Sequence, residues 1–490
     1  MTRSMPGVGS RWRRRSRGRL PVVSDQPRRP TSATGASGER GSAPNAPGEK
    51  SPAIGAPADL ASARRLPPPG SPGVTSPGAA VRKAVGFLGI NRSIGGLMGM
   101  VILVGLGEKM AERFLPIYML ALGGGILGVG LLNSLDNLLS ALYSFPGGYL
   151  ADRYGTKRAL LCFNLMAMVG YLIVILVAKW YAVILGAVLF LSWTAISLPA
   201  TMQLVNNVMP RNKRTMGVSM HSLIKRVPMS LGPLMGGALI VAWGETTGVR
   251  LAFVVALVMA IIATLAQERM ITDARPARDD RKRSAERNPF RLWKEMSPDL
   301  RGLLVSDILV RFCEQIPFAF VVIWAMKSLG TPGIGGHPVT AFQFGVLTSI
   351  EMATAVLCYI PVAYYADKTG KKPFVIVTFG FFTLFPVVLW FSRSFWPLVG
   401  AFVIRGLKEF GEPTRKALIM DLSPEDRKAG MFGLYYLIRD VIVSLAAFGG
   451  ALLWQRSPAI NFIAAFAFGV LGTAWFAWKG KDLPVAKEAA

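Results

Sequence analysis

For 490 residues, the chain has little histidine, cysteine or acidic charge. Two histidines (His221 and His337) leave almost nothing for an imidazole relay or a histidine-bound metal. Three cysteines (Cys162, Cys313 and Cys358) lie inside apolar segments without metal-ligand spacing, and read as small packing residues rather than a disulfide framework. Charged residues make up 17%, against about 25% in a soluble globular chain, and those present are clustered. There is no glycine-rich phosphate loop and no nucleophile–base arrangement at a useful spacing. We therefore expect no cofactor, no metal and no ATP-driven step, and an enzyme is the least favoured class.

What the chain has in abundance is apolar length. Hydrophobic residues make up 52% and the mean hydropathy is +0.41. Runs of ~20 mostly apolar residues, each long enough to cross ~30 Å of hydrocarbon as a helix, recur twelve times. These spans 1–12 lie near 95–121, 126–148, 158–178, 180–207, 216–242, 249–268, 302–328, 341–364, 373–391, 396–420, 430–453 and 459–478. Cations concentrate in alternate connections. Arg211, Lys213 and Arg214 separate spans 4 and 5, a run from Arg275 to Arg291 separates spans 6 and 7, and Lys479 and Lys481 follow span 12. The intervening connections (Gly123–Gly125, Ala178–Trp180, Trp243–Val249 and Thr331–Pro338) are poor in cations. An even number of spans with both termini cytoplasmic satisfies the positive-inside rule throughout. Trp180, Trp243, Trp396 and Trp454 fall near the outer ends, where an aromatic belt is expected.

A short basic loop occurs twice between spans. The first copy runs Gly148-Tyr149-Leu150-Ala151-Asp152-Arg153-Tyr154-Gly155-Thr156-Lys157-Arg158; the second runs Ala363-Tyr364-Tyr365-Ala366-Asp367-Lys368-Thr369-Gly370-Lys371-Lys372, at an offset of 367 − 152 = 215. A polar loop with several cations cannot sit in hydrocarbon and belongs at the cytoplasmic surface. The first copy resembles the G-x-L-x-D-R-x-G-x-K-R loop between helices 2 and 3 of the major facilitator superfamily of secondary transporters. The second resembles that loop's degenerate partner between helices 8 and 9. The resemblance covers residues 86–480 and implies an all-α membrane fold of twelve helices in two pseudo-symmetric six-helix bundles, in which Asp152 locks the cytoplasmic gate in one state.

Further offsets support duplication. Pro199 pairs with Pro413 (214), Arg226 with Arg439 (213), and Gly236-Gly237 with Gly449-Gly450 (213). The boundaries read as a basic tail (1–85), an N-terminal bundle (86–268), a central cytoplasmic loop (269–299), a C-terminal bundle (300–480) and a short tail (481–490). Residues 1–85 carry one aromatic residue, Trp12, and too little apolar surface to offset the entropy of ordering. The run Arg11–Arg19 fits anionic headgroups, and no signal-peptide core follows it. An upstream GC-rich reading frame, with initiation at Val81 or Val85, gives the same composition.

Charges inside spans are costly and face a bundle interior or a wet cavity. Span 1 holds Glu108, Glu112 and Arg113; span 7 holds Asp307, Arg311 and Glu314 on one stripe. Span 10 holds Arg405, Lys408, Glu409 and Glu412, and span 11 holds Arg439 and Asp440. Asp136 in span 2 and Glu351 in span 8 differ by 215, the offset of the loop, and each lies 16 residues before its loop Asp. That is roughly 24 Å along a helix, within the outer half of the membrane. Either acid suits reversible protonation or a structural ion pair with a neighbouring Arg. Span 5 carries Gly232-Pro233-Leu234-Met235-Gly236-Gly237, which resembles the end of the G-P-x-x-G-G motif of the superfamily's antiporter branches, without its upstream glycines. The arginine those antiporters carry in helix 4 is absent from Leu191–Thr201.

The expected function is secondary active transport of a small organic solute by alternating access, exported against protons. Two alternatives remain open: a proton symporter or uniporter importing a sugar, peptide or organic anion, and a transporter-like scaffold or sensor. The net charge of +27 is accounted for by topology and the tail, so no specific nucleic acid is expected. The expected partners are the lipid bilayer, a small-molecule substrate and protons, with the chain a monomer in the inner or plasma membrane.

Overall fold

The structure, a computed structural model, describes residues 92–191, 193, 197, 201, 224–271, 289–424 and 428–481. The tail 1–85, His221, Pro199, most of the central loop and part of spans 4 and 5 lie outside the described residues. Regular structure among the described residues is helical throughout. Eight helices there are long and apolar enough to cross a membrane.

In chain order the helices are α1 (Arg92–Glu112), α2 (Leu115–Ala121), α3 (Gly125–Tyr154), α4 (Thr156–Leu176), α5 (Trp180–Phe190), α6 (Arg226–Trp243) and α7 (Glu245–Met270). They continue with α8 (Pro289–Glu295), α9 (Pro298–Phe318), α10 (Phe320–Met326), α11 (Ala341–Thr369), α12 (Lys372–Phe391), α13 (Phe395–Leu407), α14 (Glu412–Asp421), α15 (Lys428–Arg456) and α16 (Pro458–Lys479).

Three spans read as continuous are broken. Span 1 divides into α1 and α2, span 7 into α9 and α10, and span 10 into α13 and α14. Pro116 and Pro413 sit in the first turns of α2 and α14, where a residue without an N–H restarts a helix and cannot continue one. The breaks matter for function because Arg113, Phe318, Lys408 and Glu409 stand at them.

Both copies of the basic loop turn on a glycine in the left-handed region, Gly155 at φ 90° and Gly370 at φ 106°. Their separation, 370 − 155 = 215, is the offset of the motif, so the two loops share a backbone turn that other residues rarely adopt. The other repeat-related contact is a close approach of helices. A Cβ on Gly236 would strike the Met110 carbonyl of α1, and one on Gly450 would strike the Ile316 carbonyl of α9. The structural equivalence is thus Gly236 with Gly450 (214), one residue from the sequence pairing.

Helices α1, α6 and α7 pack together, as do α4, α5 and α7; α9 packs on α15 and α16, and α12 on α13 and α16. The two groups meet along α6 with α11 and α3 with α15. These seams are tight toward the end marked by Gly125, Trp243 and Ala341. An added Cβ on Gly237 would collide with the Ala341 carbonyl, one on Gly345 would come 2.6 Å from the Pro233 carbonyl, and one on Gly130 would meet Ala451. At the same end Lys327 is ion-paired with Glu245.

The aromatic belt needs one correction. Trp180, Trp243 and Trp396 are exposed, but Trp454 is buried. It stacks on Phe320 with centroids 4.8 Å apart and meets Trp324 and Phe462 edge-on. Burial of that large surface in an aromatic cluster outweighs an interfacial position for its indole.

Candidate functional site

The breaks in spans 1 and 7, together with α3, α11 and α13, line a partly open space of about 530 Å³. Its walls carry Glu112 and Arg113 at the break in span 1, Asn133 and Asp136 from α3, Phe318 at the break in span 7, Phe344 from α11, and Arg405 from α13. Charges of both signs therefore face one space beside two phenyl rings. Phe318 is clamped between cations, with the Arg113 and Arg405 guanidinium carbons 5.3 Å and 5.4 Å from its ring centre. A cation over an aromatic face gains electrostatic attraction, more so where water is excluded.

The two repeat-related acids have different surroundings. Glu351 is buried, with its carboxylate 3.3 Å from Arg405 Nε and 3.9 Å from Lys408 Nζ. Asp136 is half-buried on the cavity wall, and no cation among the described residues lies within ion-pairing distance of it. The structure thus supplies the arginine partner for Glu351 and none for Asp136. Toward the other side of α1, Lys109 lies between Glu108 and Glu112: it is ion-paired with Glu112 and stands 3.4 Å from Glu108.

From Glu351 a continuous ladder of charges runs through the second helix group. Lys408 donates to Glu314 at 2.5 Å, and Glu314 accepts from Arg311 at 2.5 Å. Arg311 reaches Glu412 at 3.4 Å, and Glu412 accepts from Arg415 at 2.5 Å. Arg415 is ion-paired with Asp307, which also accepts from the Tyr435 hydroxyl at 3.0 Å and from Arg439 at 3.4 Å. Arg439 is held in turn by Asp440 at 2.7 Å. With Arg405 at its head, paired with Glu351, five bases and five acids are threaded alternately, which is how buried charges avoid an uncompensated desolvation cost. Asp307, Glu351 and Arg415 are its most buried members, with side chains 1%, 1% and 2% exposed.

Polar contacts also link the groups around the cavity. Asn137 donates to the Gln315 side chain at 3.1 Å, Ser134 to the Ser444 carbonyl at 2.8 Å, and Ser349 to the Ser230 carbonyl at 2.7 Å. Arg226 meets Glu409 at 3.4 Å.

Of the loop residues, Lys157 bonds Glu268 at the end of α7 at 3.0 Å, and Arg153 lies over the Tyr154 ring. Arg158 is exposed, and Lys371 is ion-paired with Asp421 at the end of α14. The side chains of Asp152, Asp367 and Lys368 lie outside those described. The helix-5 residues Gly232, Gly236 and Gly237 are packed against Lys109, Met110 and Ala341; they shape helix contacts and do not line the cavity. Lys109, Arg415, Tyr435 and Gln315 were missed by sequence reading. Lys109 and Arg415 had a signal, each being a cation within a span; Tyr435 and Gln315 had none.

The family model of the Major Facilitator Superfamily matches residues 97–336 and again 303–489. An MFS-type transporter of Methanocaldococcus jannaschii is 22% identical over 375 residues, covering 75% of this chain and 89% of that protein. The efflux pump azaK of Aspergillus niger is 28% identical over 181 residues, 34% of this chain and 38% of its own. Among solved structures, the nucleoside transporter NupG superposes with a TM-score of 0.67 at 12% identity, over 80% of this chain and 100% of NupG. A peptide transporter POT in complex with sulfate gives 0.64 at 16% identity, over 80% of this chain and 94% of its own. At such identities the likeness is one of fold. Two family matches that together span the helical region, on a helical membrane fold built around a charged central cavity, place this chain in the Major Facilitator Superfamily as a multi-pass membrane transporter.

Proposed function

We propose that this chain exports a small organic solute with an anionic group, in exchange for protons, by rocking its two helix groups about the central cavity. The observation that carries this is the composition of the cavity lining: Asp136 faces the cavity with no cation within ion-pairing distance among the described residues, while Arg113 and Arg405 bracket Phe318 in the same lining. An acid without a fixed cation can take and release a proton at low cost to the fold, and the arginines supply an anion site. Glu112 in the same lining, although ion-paired with Lys109, is the second proton-carrying candidate. Glu351, committed to Arg405, positions that arginine.

The seams are tight at the Trp243 and Ala341 end, and the basic loops at Gly155 and Gly370 stand at the other. Taking the cation-rich loops as cytoplasmic, this arrangement is one closed toward the outside, with solute entering from the cytoplasm. Export is favoured by the Gly236-Gly237 packing of the antiporter-like motif. Proton symport in the opposite direction is favoured by the cationic face of the cavity, which suits uptake of an anion along the proton gradient.

Flux in proteoliposomes under an imposed pH gradient, screened across organic anions and lipophilic cations, tests the reading. Solute should move opposite to protons, and Asp136→Asn should abolish the drive. Co-directional movement of solute and protons would replace antiport by symport. Flux indifferent to the gradient would remove proton coupling.

A further inference from the structure

A second cavity lies away from the transport pathway, on the outer surface of the bundle between α12 and α16. It is an open groove spanning about 620 Å³, part of it outside the protein surface, and its walls are almost entirely apolar: Pro386, Trp390 and Phe391 on one side, Phe462, Ile463 and Phe466 on the other. Phe391 and Ile463 are 71% and 66% exposed, so the groove faces outward, into lipid in a membrane-spanning bundle. It begins where α12 ends and α16 starts, and runs seven residues along α16 from Ala459 to Phe466, roughly 10 Å. Trp396, 77% exposed just beyond α12, sits at the height where indoles mark the headgroup level.

Two cations stand near the Trp390 and Ala459 end of the groove, outside its lining. Arg393 follows α12 by two residues. Its guanidinium lies 4.9 Å from the ring centre of Trp390, a groove wall, and 5.2 Å from that of Trp324. It makes no ion pair or side-chain hydrogen bond among the described residues, and its Nη1 is buried with no acceptor. Arg456 stands exposed at the end of α15, three residues before Ala459. The neighbouring connections, residues 328–340, 392–396 and 455–460, contain no acidic residue. Two cations with no carboxylate in the neighbouring connections, beside an apolar slot long enough for the upper part of an acyl chain, complement an anionic amphiphile.

We propose that this groove is a binding site for one anionic glycerophospholipid of the surrounding leaflet, an acyl chain lying between α12 and α16 and the phosphate meeting Arg393. Arg393 is pinned between tryptophans contributed by α10 and α12, so a bound lipid would brace these helices against α16.

The test uses the full-length protein in detergent, studied by native mass spectrometry after delipidation and titrated with phosphatidylglycerol and, separately, phosphatidylcholine. One phosphatidylglycerol should bind per chain, at least tenfold more tightly than phosphatidylcholine. Ile463→Trp fills the groove from its exposed side, so thermal stability without lipid should be unchanged while phosphatidylglycerol affinity falls at least tenfold. Arg393→Gln should equalise the two lipids. Should Arg393→Gln fail to fold, Ile463→Trp decides alone. Equal affinities in the wild type, or unchanged phosphatidylglycerol binding in Ile463→Trp, would overturn the site, as would occupation of the groove by a second copy of the chain.

Discussion

Replacing one aspartate by asparagine should have opposite consequences at Asp307 and at Asp136. Asp307 is 1% exposed and holds Arg415, itself 2% exposed, together with Arg439 at 3.4 Å. Removing its charge leaves Arg415 buried with Glu412 as its remaining acid. Breaking a buried pair by deleting one partner costs about 3–5 kcal/mol, a factor of roughly 10² to 10⁴ in the folded-to-unfolded ratio at 1.36 kcal/mol per decade. We expect Asp307→Asn to lower folded yield and thermal stability sharply, with normal flux per molecule that does fold. Adding Arg415→Gln removes the stranded cation, so the double variant should be more stable than the sum of the single losses by about 0.5–3 kcal/mol. Asp136→Asn removes a half-buried acid with no ion pair among the described residues. With no ion pair to break among the described residues, its stability should fall far less than that of Asp307→Asn, while pH-gradient-driven flux is lost. The assays are thermal unfolding of purified protein and proton-driven flux per folded molecule. Wild-type stability in Asp307→Asn, or strictly additive losses in the double variant, would refute the role given to the ladder. A destabilised Asp136→Asn would show that this acid has a structural partner.

Other variants probe the gate and the coupling. Gly345→Val places side-chain atoms against the Pro233 carbonyl of α6, 2.6 Å from an added Cβ; it should hold the α6–α11 seam open and stop transport, seen as increased labelling of a cysteine introduced at Asn133 from the Trp243 side. Glu112→Gln should lose pH-driven flux but keep solute exchange, because a neutral amide imitates the protonated acid without cycling; unchanged pH dependence in both Glu112→Gln and Asp136→Asn would favour uniport. Asp152→Asn should impair flux with near-normal expression, and Asp367→Asn should do so less, since its loop is the more degenerate copy; equal, wild-type flux in both would remove these loops from the mechanism.

Much of this was legible in the sequence because its causes are local or periodic. Apolar runs of bilayer length, cations in alternate loops, and glycines at 155 and 370 that supply a positive φ depend on no distant partner. The charged spans stood out because an ionisable residue in an apolar run has few inexpensive fates. The breaks at Arg113, Phe318 and Gly411 were half-legible: Pro116 and Pro413 announce them, but kinked helices also carry prolines.

What the sequence by itself determined is the membrane fold, the repeat and the inventory of buried charge, since all three follow from composition, spacing and the cost of placing polar groups in hydrocarbon. Which charge faces which was decided only by tertiary structure. Asp136 and Glu351 share an offset of 215 and a depth, yet one lines the cavity and the other is locked to Arg405. The cation that neutralises Glu351 comes from α13, about 50 residues along the chain, and ion pairing acts through space over a few ångströms rather than along the sequence. For the same reason Arg415, marked in sequence only as a cation within a span, becomes the partner of Asp307, and Trp454 leaves the interface for an aromatic cluster assembled from distant helices.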